Sequence, residues 1–398
     1  MEVKALVSVK HGYEPWKMAY DAINSVFADD CRGKRVLLKP NAGRKGPAKT
    51  AICTNPEVIR GVIRFFRERE AAEILVGDGA LWGVNVWEAM EMAGITAMCR
   101  EEGVVQVNLD EARPLVKKIP GGVMVDELTF SSLPFEVDFV VSIPVIKTHM
   151  YTGATLSVKN MKGCLYKMEK TLLHRINRPC PDPSRGLCLD YGIADMASVF
   201  LPHYAVMDGT ICMHGFGPSI GDLINLDLVA ASKDPVAADY TGVQLMGMAY
   251  NAVPHINLVR ERCGAPGIDD IEVDPADFLR YAKTFTPADM SKLSNTYPNI
   301  EVIEKGTCSA CSATIMAFIK VHGAKFESGQ RLVLATGKDL SGDDLRRDNL
   351  VLVGNCAGAC ADACAGGMPY CKGCPPIGSG ILSFIRNESE DDYLASIK

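Results

Sequence analysis

Strand-length apolar runs alternate with segments of helical periodicity over the first 300 residues, and no other feature restricts the available folds so tightly. Val3–Val9, Arg35–Lys39, Glu73–Val76, Val104–Asn108, Phe139–Ile143, Tyr204–Met207 and Leu226–Ala230 read as strands. Helical spacing appears in Trp16, Ala19, Ile23, Val26 and Phe27, and again over Pro56–Arg69, Val86–Glu102, Pro235–Met246 and His255–Arg262. Asn55 ahead of Pro56 suits a helix N-cap followed by proline at the first helical position. Such alternation predicts an α/β fold, doubly wound, with a largely parallel sheet and helices on both faces. The pattern restarts near Tyr297–Asn299: Ile300–Ile303, Arg331–Ala335 and Asn349–Val353 read as strands, Ser312–Val321 and Ile381–Ile385 as helices. This assigns 1–299 to the α/β domain, 300–386 to a small Cys-rich α/β domain and 387–398 to an acidic tail.

Cysteine is unevenly spread. Of fifteen, eight lie in 1–307 and seven in the last 91 residues, five of them between Cys356 and Cys374. A net charge of −6 argues against general nucleic-acid binding, which needs a basic face. The longest apolar run, Phe139–Ile146, is far short of the roughly 20 residues of a membrane helix. The N-terminal MEVKALVSVK lacks the apolar stretch of a secretion signal. The expectation is a cytoplasmic protein with no membrane or nucleic-acid partner, whose clustered thiols are reduced and serve metal or redox chemistry. So many oxidisable thiols and methionines accord with an anaerobic host.

Cys308 and Cys311 form C-x-x-C between a strand and a helix, Cys356 follows a strand, and Cys374 closes a Gly-Cys-Pro-Pro stretch. Carboxyl ends of parallel strands share one rim, so these four thiols are expected to converge there despite their separation in sequence. Four thiolates suit a 4Fe-4S cluster or a structural zinc. The second group, Cys356, Cys360, Cys364, Cys371 and Cys374, holds more thiols than one tetrahedral ion uses, which favours iron–sulfur over zinc or unliganded cysteines. A redox partner protein is compatible with such a cluster.

Ser142–Arg178 carries five Lys and two Arg against one acid, a +6 segment inside an acidic chain. It begins at a strand end with Ile143–His149 and mixes its charges with glycine and small polar residues, as a small-anion site does; a solvated basic loop is the alternative. Lys147, Lys159 and Lys162 suit a carboxylate or phosphate, Asn160 suits its orientation, and His149 or His174 suits proton transfer. Other strand ends add Lys39, Asn41, Asp78 and Asp208 to the same ring. Gly77-x-Gly79 lacks the third glycine of a dinucleotide fingerprint. His203, His214 and His255 read as structural.

Lys39-Pro40-Asn41, the stretch Ser142–Gly163 with Lys-Thr-His and Leu-Ser-x-Lys-Asn-x-Lys-Gly, and Lys233-Asp234-Pro235-Val236-Ala237-x-Asp239 resemble the family catalogued as domain of unknown function 362. The resemblance covers about residues 1–300 and implies this fold, with iron–sulfur ligands in many members. The C-x-x-C-x-x-C-x3-C-P run of an added ferredoxin module is missing; the early C-x-x-C and late Gly-Cys-Pro-Pro are similar to a variant that implies Cys308, Cys311, Cys356 and Cys374 as ligands. By looser analogy, His149, Lys159 and His174 are similar in layout to the catalytic groups of lactate-racemase-like proteins. The function expected is an iron–sulfur oxidoreductase acting on a small anion. The alternatives are a cluster-binding electron carrier without its own substrate and a non-redox lyase or racemase-like enzyme.

Overall fold

The computed structural model describes residues 4–81, 83–176, 178–326, 331–376 and 378–387. It divides into two compact units, Met1–Ala288 and Asp289–Lys398. The acidic residues of the tail from 388 onward lie outside the described residues.

The first unit is built on a mixed, largely parallel sheet. Its strands run in the order Ile271–Asp274, Ala5–His11, Leu228–Ser232, Tyr204–His214, Phe139–Ile143, Arg35–Pro40, Glu73–Asp78 and Val105–Asn108. Every pairing from Tyr204–His214 to Val105–Asn108 along this path is parallel, whereas Leu228–Ser232 runs antiparallel to both neighbours. Alternation of side chains along a strand divides the sheet between two cores. Val36 and Leu38 pack with Ile23, Ile59, Ile63, Phe65 and Phe66 on one face. Leu37, Leu75 and Val140 pack with Ile193, Val236, Val243 and Ile256 on the other. Helices therefore cover both faces, as the apolar runs require of strands buried on both sides.

Local rules explain several element ends. Asn55 caps the helix Pro56–Glu68 by accepting from the Glu57 N–H at 3.0 Å. The single helix expected over Val86–Glu102 is two, Val86–Met92 and Ile95–Glu102, because Gly94 sits between them with φ of 81°, a left-handed conformation that stops one helix and starts the next. The strand expected at Tyr204–Met207 continues to His214, so Asp208-Gly209-Thr210 is a strand interior and not a turn. A hairpin, Pro114–Lys118 with Glu127–Ser131, stands apart from the main sheet.

The second unit has four strands, Ile300–Glu304, Leu332–Thr336, Leu350–Val353 and Tyr370–Cys371, all parallel and in chain order. Helices Ser309–His322, Asn355–Ala365 and Gly378–Arg386 accompany them. The division falls at Ala288/Asp289, eleven residues before the sequence-based boundary after residue 299, because Met290–Thr296 and Tyr297 belong with this unit. Tyr297 fills the space a side chain at Gly323 would occupy, at 2.8 Å from its ring. Among the described residues, no helix is long and apolar enough to cross a membrane.

Helices Pro15–Val26 and Pro56–Glu68 meet at Gly61, where an added Cβ would lie 2.0 Å from the Trp16 carbonyl oxygen. Gly61→Ala should therefore force the helices apart and cost about 3 kcal/mol, read as a lower urea midpoint at unchanged m-value.

Candidate functional site

The expected ring of polar residues at the strand ends resolves into an inner scaffold and an outer cationic group. Lys39 belongs to the scaffold. Its ammonium is almost wholly buried and donates to Asp78 Oδ1 at 2.6 Å, Asn160 Oδ1 at 2.9 Å and the Pro40 carbonyl at 2.9 Å. Three donors have three acceptors, so nothing is left for a ligand. Asn160 is equally occupied. Its Oδ1 accepts from Lys39 and from Asn41 Nδ2 at 2.5 Å, and its Nδ2 donates to the Lys39 carbonyl and Ser142 Oγ, both at 3.0 Å.

Asp78 also takes the N–H groups of Ala42 and Gly79, and Asp208 takes those of Asn55 and Thr210 with the Thr210 hydroxyl. Lys39, Asn41, Asn160 and Asp208, expected to touch substrate, are instead engaged with one another or with the backbone N–H groups of Val145, Asn55 and Thr210. The reason is long-range pairing, which joins residues 121 positions apart in the Lys39–Asn160 contact.

The cationic group sits on the next segment. Strand Val145–His149 pairs antiparallel with Gly153–Thr155, with Lys147 opposite Thr155 and His149 opposite Gly153. Residues two apart share a face, so Lys147, His149 and Thr155 project together. The turn that follows, Ser157–Asn160, presents Lys159; its first N–H groups, from Ser157 and Val158, bind the Asp239 carboxylate at 2.6 and 3.0 Å. Burial pushes Asp239 up to about 8 against the pull of these two bonds. Lys162 Nζ meets His174 Nε2 at 2.7 Å. Lys147 donates to the Ile52 carbonyl at 2.8 Å.

None of Lys147, Lys159, Lys162 or Arg44 has a carboxylate partner among the described residues, although the neighbouring Lys39 and Lys170 are paired with Asp78 and Asp110. The hydroxyls of Thr155 and Ser157 are buried without a hydrogen-bond partner among the described residues. Desolvation lowers Lys147 to about 8, with Cys53 and Asp208 opposing it and Arg44 and Lys39 pressing the same way, and desolvation with Arg44 lowers Lys162 to about 7. Lys159 is held well below the usual lysine range by burial and by Lys162, Lys147 and Arg44. His149 and His174 are depressed first by burial and then by these lysines, so both imidazoles are neutral near pH 7. Arg44 keeps an open surface, yet dense protein around it lowers its pKa as well, as for a side chain reaching into a recess. Sequence reasoning missed Arg44, which follows Gly43 in an ordinary-looking loop, and gave Asp239 no role.

At the C-terminal rim of the second unit, Cys308 caps the helix Ser309–His322 and Cys311 lies in its first turn. The Cys311 thiol donates to Cys308, which with backbone N–H groups at the helix start brings Cys308 down to about 6. Cys311 in turn senses Cys374, and Cys356 senses both Cys374 and Cys308, so the four thiols share one neighbourhood. Gly354, with φ of 94°, leaves the Cys311 sulfur its space, since a Cβ there would stand 3.0 Å from it. A set of four thiols with helix N–H groups around it fits a soft metal or an iron–sulfur cluster in donor chemistry. Among the described residues, no three His, Cys, Asp or Glu stand where a single ion could be held. Cys360 donates to the Lys338 carbonyl at 3.0 Å, Cys364 is exposed and Cys371 is buried.

Fold and site together define an α/β protein with a buried, desolvated group of cationic side chains and a second, thiol-rich unit. Residues 36–244, just over half of the chain, match the family described as Domain of unknown function (DUF362), and the chain belongs to that family. It is 26% identical over 241 residues to the Thylakoid-associated protein sll1697 of Synechocystis sp. (strain ATCC 27184 / PCC 6803 / Kazusa), covering 58% of this chain and 68% of that protein. Among solved structures, the lactate racemase apoprotein from Thermoanaerobacterium thermosaccharolyticum is similar with a TM-score of 0.41 and 13% identity over 62% of this chain. The chain spans 58% of that structure, less than two thirds of its length.

The Lys39–Asp78 pair supports the recess from below. Asp78→Asn should strand a buried ammonium and cost about 4 kcal/mol in urea unfolding.

Proposed function

We propose that this chain is an enzyme that binds a small anion, a carboxylate or a phosphate, among Lys147, Lys159, Lys162 and Arg44 and moves a proton on it. The observation that supports this reading is the contrast within one region: buried lysines that serve the fold have carboxylates, and those facing the recess have none. An unpaired buried cation costs stability and is kept where a ligand completes it. An entering anion supplies the missing counter-charge to several cations at once, in surroundings where water screens little. Lys162, lowered to about 7 and in contact with His174, is close to half protonated at neutral pH and can take up a proton as readily as give one, which suits acid–base work there.

The second unit extends the proposal to an iron–sulfur oxidoreductase, with Cys308, Cys311, Cys356 and Cys374 as ligands. A 4Fe-4S cluster supplies one-electron transfer when bound. The thiolate character of Cys308 and the backbone N–H groups beside it favour ligation there, and the glycine at 354 keeps side chains away from the sulfurs. A non-redox lyase or racemase is the second reading, favoured by the Lys162–His174 contact, which needs no electron source to move a proton.

Two experiments test these assignments. Lys159→Met removes an unpaired buried cation while keeping its bulk. The ligand-free variant should be about 1 kcal/mol more stable than the parent, and the rise in melting temperature produced by phosphate or citrate should be lost. A destabilised variant that still responds to both anions would refute the anion site. Protein purified without oxygen should carry about four irons and four sulfides per chain. Cys308→Ser, Cys356→Ser and Cys374→Ser should each lower that content; absence of iron and sulfide from the parent sinks the cluster assignment.

A further inference from the structure

Two imidazoles near Lys159 have opposite hydrogen-bonding polarity. His149 Nδ1 accepts from the N–H groups of Tyr151 at 3.2 Å and Thr152 at 3.4 Å. Its proton is therefore on Nε2, which is a donor. His255 is the reverse. Its Nδ1 lies 3.3 Å from Asp190 Oδ1, an acceptor only, so Nδ1 carries the proton and Nε2 is a bare lone pair. That Nε2 is buried and has no hydrogen-bond partner among the described residues.

The dyad is held rigidly. Asp190 stands in the first turn of Cys188–Ala197 and its other oxygen accepts from the Leu187 N–H at 2.9 Å. His255 stands in the first turn of Pro254–Cys263, and Pro254 packs against Gly186, where a Cβ would come within 3.1 Å of it. Both residues of the pair are fully enclosed. The Lys159 charge acts on His149 and on His255 alike, and burial keeps both imidazoles neutral. A histidine buried for packing alone satisfies both nitrogens. This one is oriented by a carboxylate and keeps an empty acceptor within reach of the Lys159 charge, on the segment whose Ala252 and Val253 pack against Gly153, the strand partner of His149.

We propose that His255, oriented by Asp190, is a further member of the anion site and is its proton acceptor, with the His149 Nε2–H as a hydrogen-bond donor to the same substrate. This rests on the anion-site reading above and adds a substrate requirement: an O–H or C–H bond next to the anionic group. In the step implied, that bond breaks, its proton passes to His255 Nε2 and its electron pair stays on the substrate. The imidazolium formed is neutralised by Asp190 and gives its proton back to the substrate, while His149 Nε2–H donates a hydrogen bond to the charge that develops there, so no outside co-reactant is needed.

Nitrogen-15 spectra of the full-length protein labelled at histidine test this, because protonated and bare ring nitrogens resonate far apart. His255→Gln identifies the signal by its disappearance, and Asp190→Asn, which perturbs the same signal, identifies it if that variant does not fold. The expected result is a bare Nε2 on His255 and a protonated Nε2 on His149. Inorganic phosphate, which carries its own O–H, should shift the His255 Nε2 signal towards its hydrogen-bonded position. A protein stabilised by phosphate in which His255 is protonated on Nε2, or stays unmoved, overturns this proposal alone. A protein whose melting temperature phosphate leaves unchanged overturns the anion-site reading, and the role of His255 with it.

Discussion

A lysine ammonium taken out of water must find an opposite charge or give up its proton, and the first unit is arranged around that constraint. It answers in two ways within one region. Lys39 and Lys170 receive Asp78 and Asp110. Lys147, Lys159 and Lys162 receive no carboxylate among the described residues, and burial draws their pKa values down, Lys147 to about 8 and Lys162 to about 7. The fold tolerates this cost because the recess is framed by bonds that are themselves complete. Lys39 and Asn160 use their full hydrogen-bonding capacity on each other and on adjacent strand ends, which makes the loops above them stiff.

Rigidity of this kind links packing to chemistry. Asp239 reaches from the helix Pro235–Leu245 to hold the first N–H groups of the turn bearing Lys159, so the position of that ammonium depends on a helix some eighty residues away in sequence, 82 for the Ser157 contact. The hairpin carrying Lys147 and His149 fixes both on one face by strand geometry alone. The proton transfer proposed above would use groups that are close to neutral, which low-dielectric surroundings penalise least.

Much of this was legible before any coordinates. Continuous apolar runs such as Phe139–Ile143 identify strands covered on both faces, and the Asn55–Pro56 cap marks its helix by composition alone. The basic stretch from Lys147 to His174 carries the proposed site, and it stands out in the sequence because charge density among glycines and small polar residues is a local signal. What could not be read is whatever depends on partners far along the chain. Lys39 and Asn160 look like ligand-binding side chains until their saturation by each other is seen. Asp208 looks like a turn residue until its strand proves to run on to His214. His255 looked structural, since its orienting carboxylate, Asp190, lies 65 positions away on a different helix. The parallel order of the second unit's strands follows from their spacing in the sequence, and Cys308, Cys311, Cys356 and Cys374 influence one another electrostatically there.

The central claim is that the recess holds lysines short of protons until an anion arrives. Calorimetric titration with sulfate, in buffers of different ionisation enthalpy, counts the protons exchanged on binding. With Lys162 near 7 and Lys147 near 8 in the free protein, the anion raises both, so binding takes protons up and weakens as pH rises through this range. The account predicts an uptake of about one proton or more per sulfate at pH 8, falling as the pH is brought to 6 where these lysines are already charged. Binding with no proton exchange at either pH, or with proton release, would contradict it.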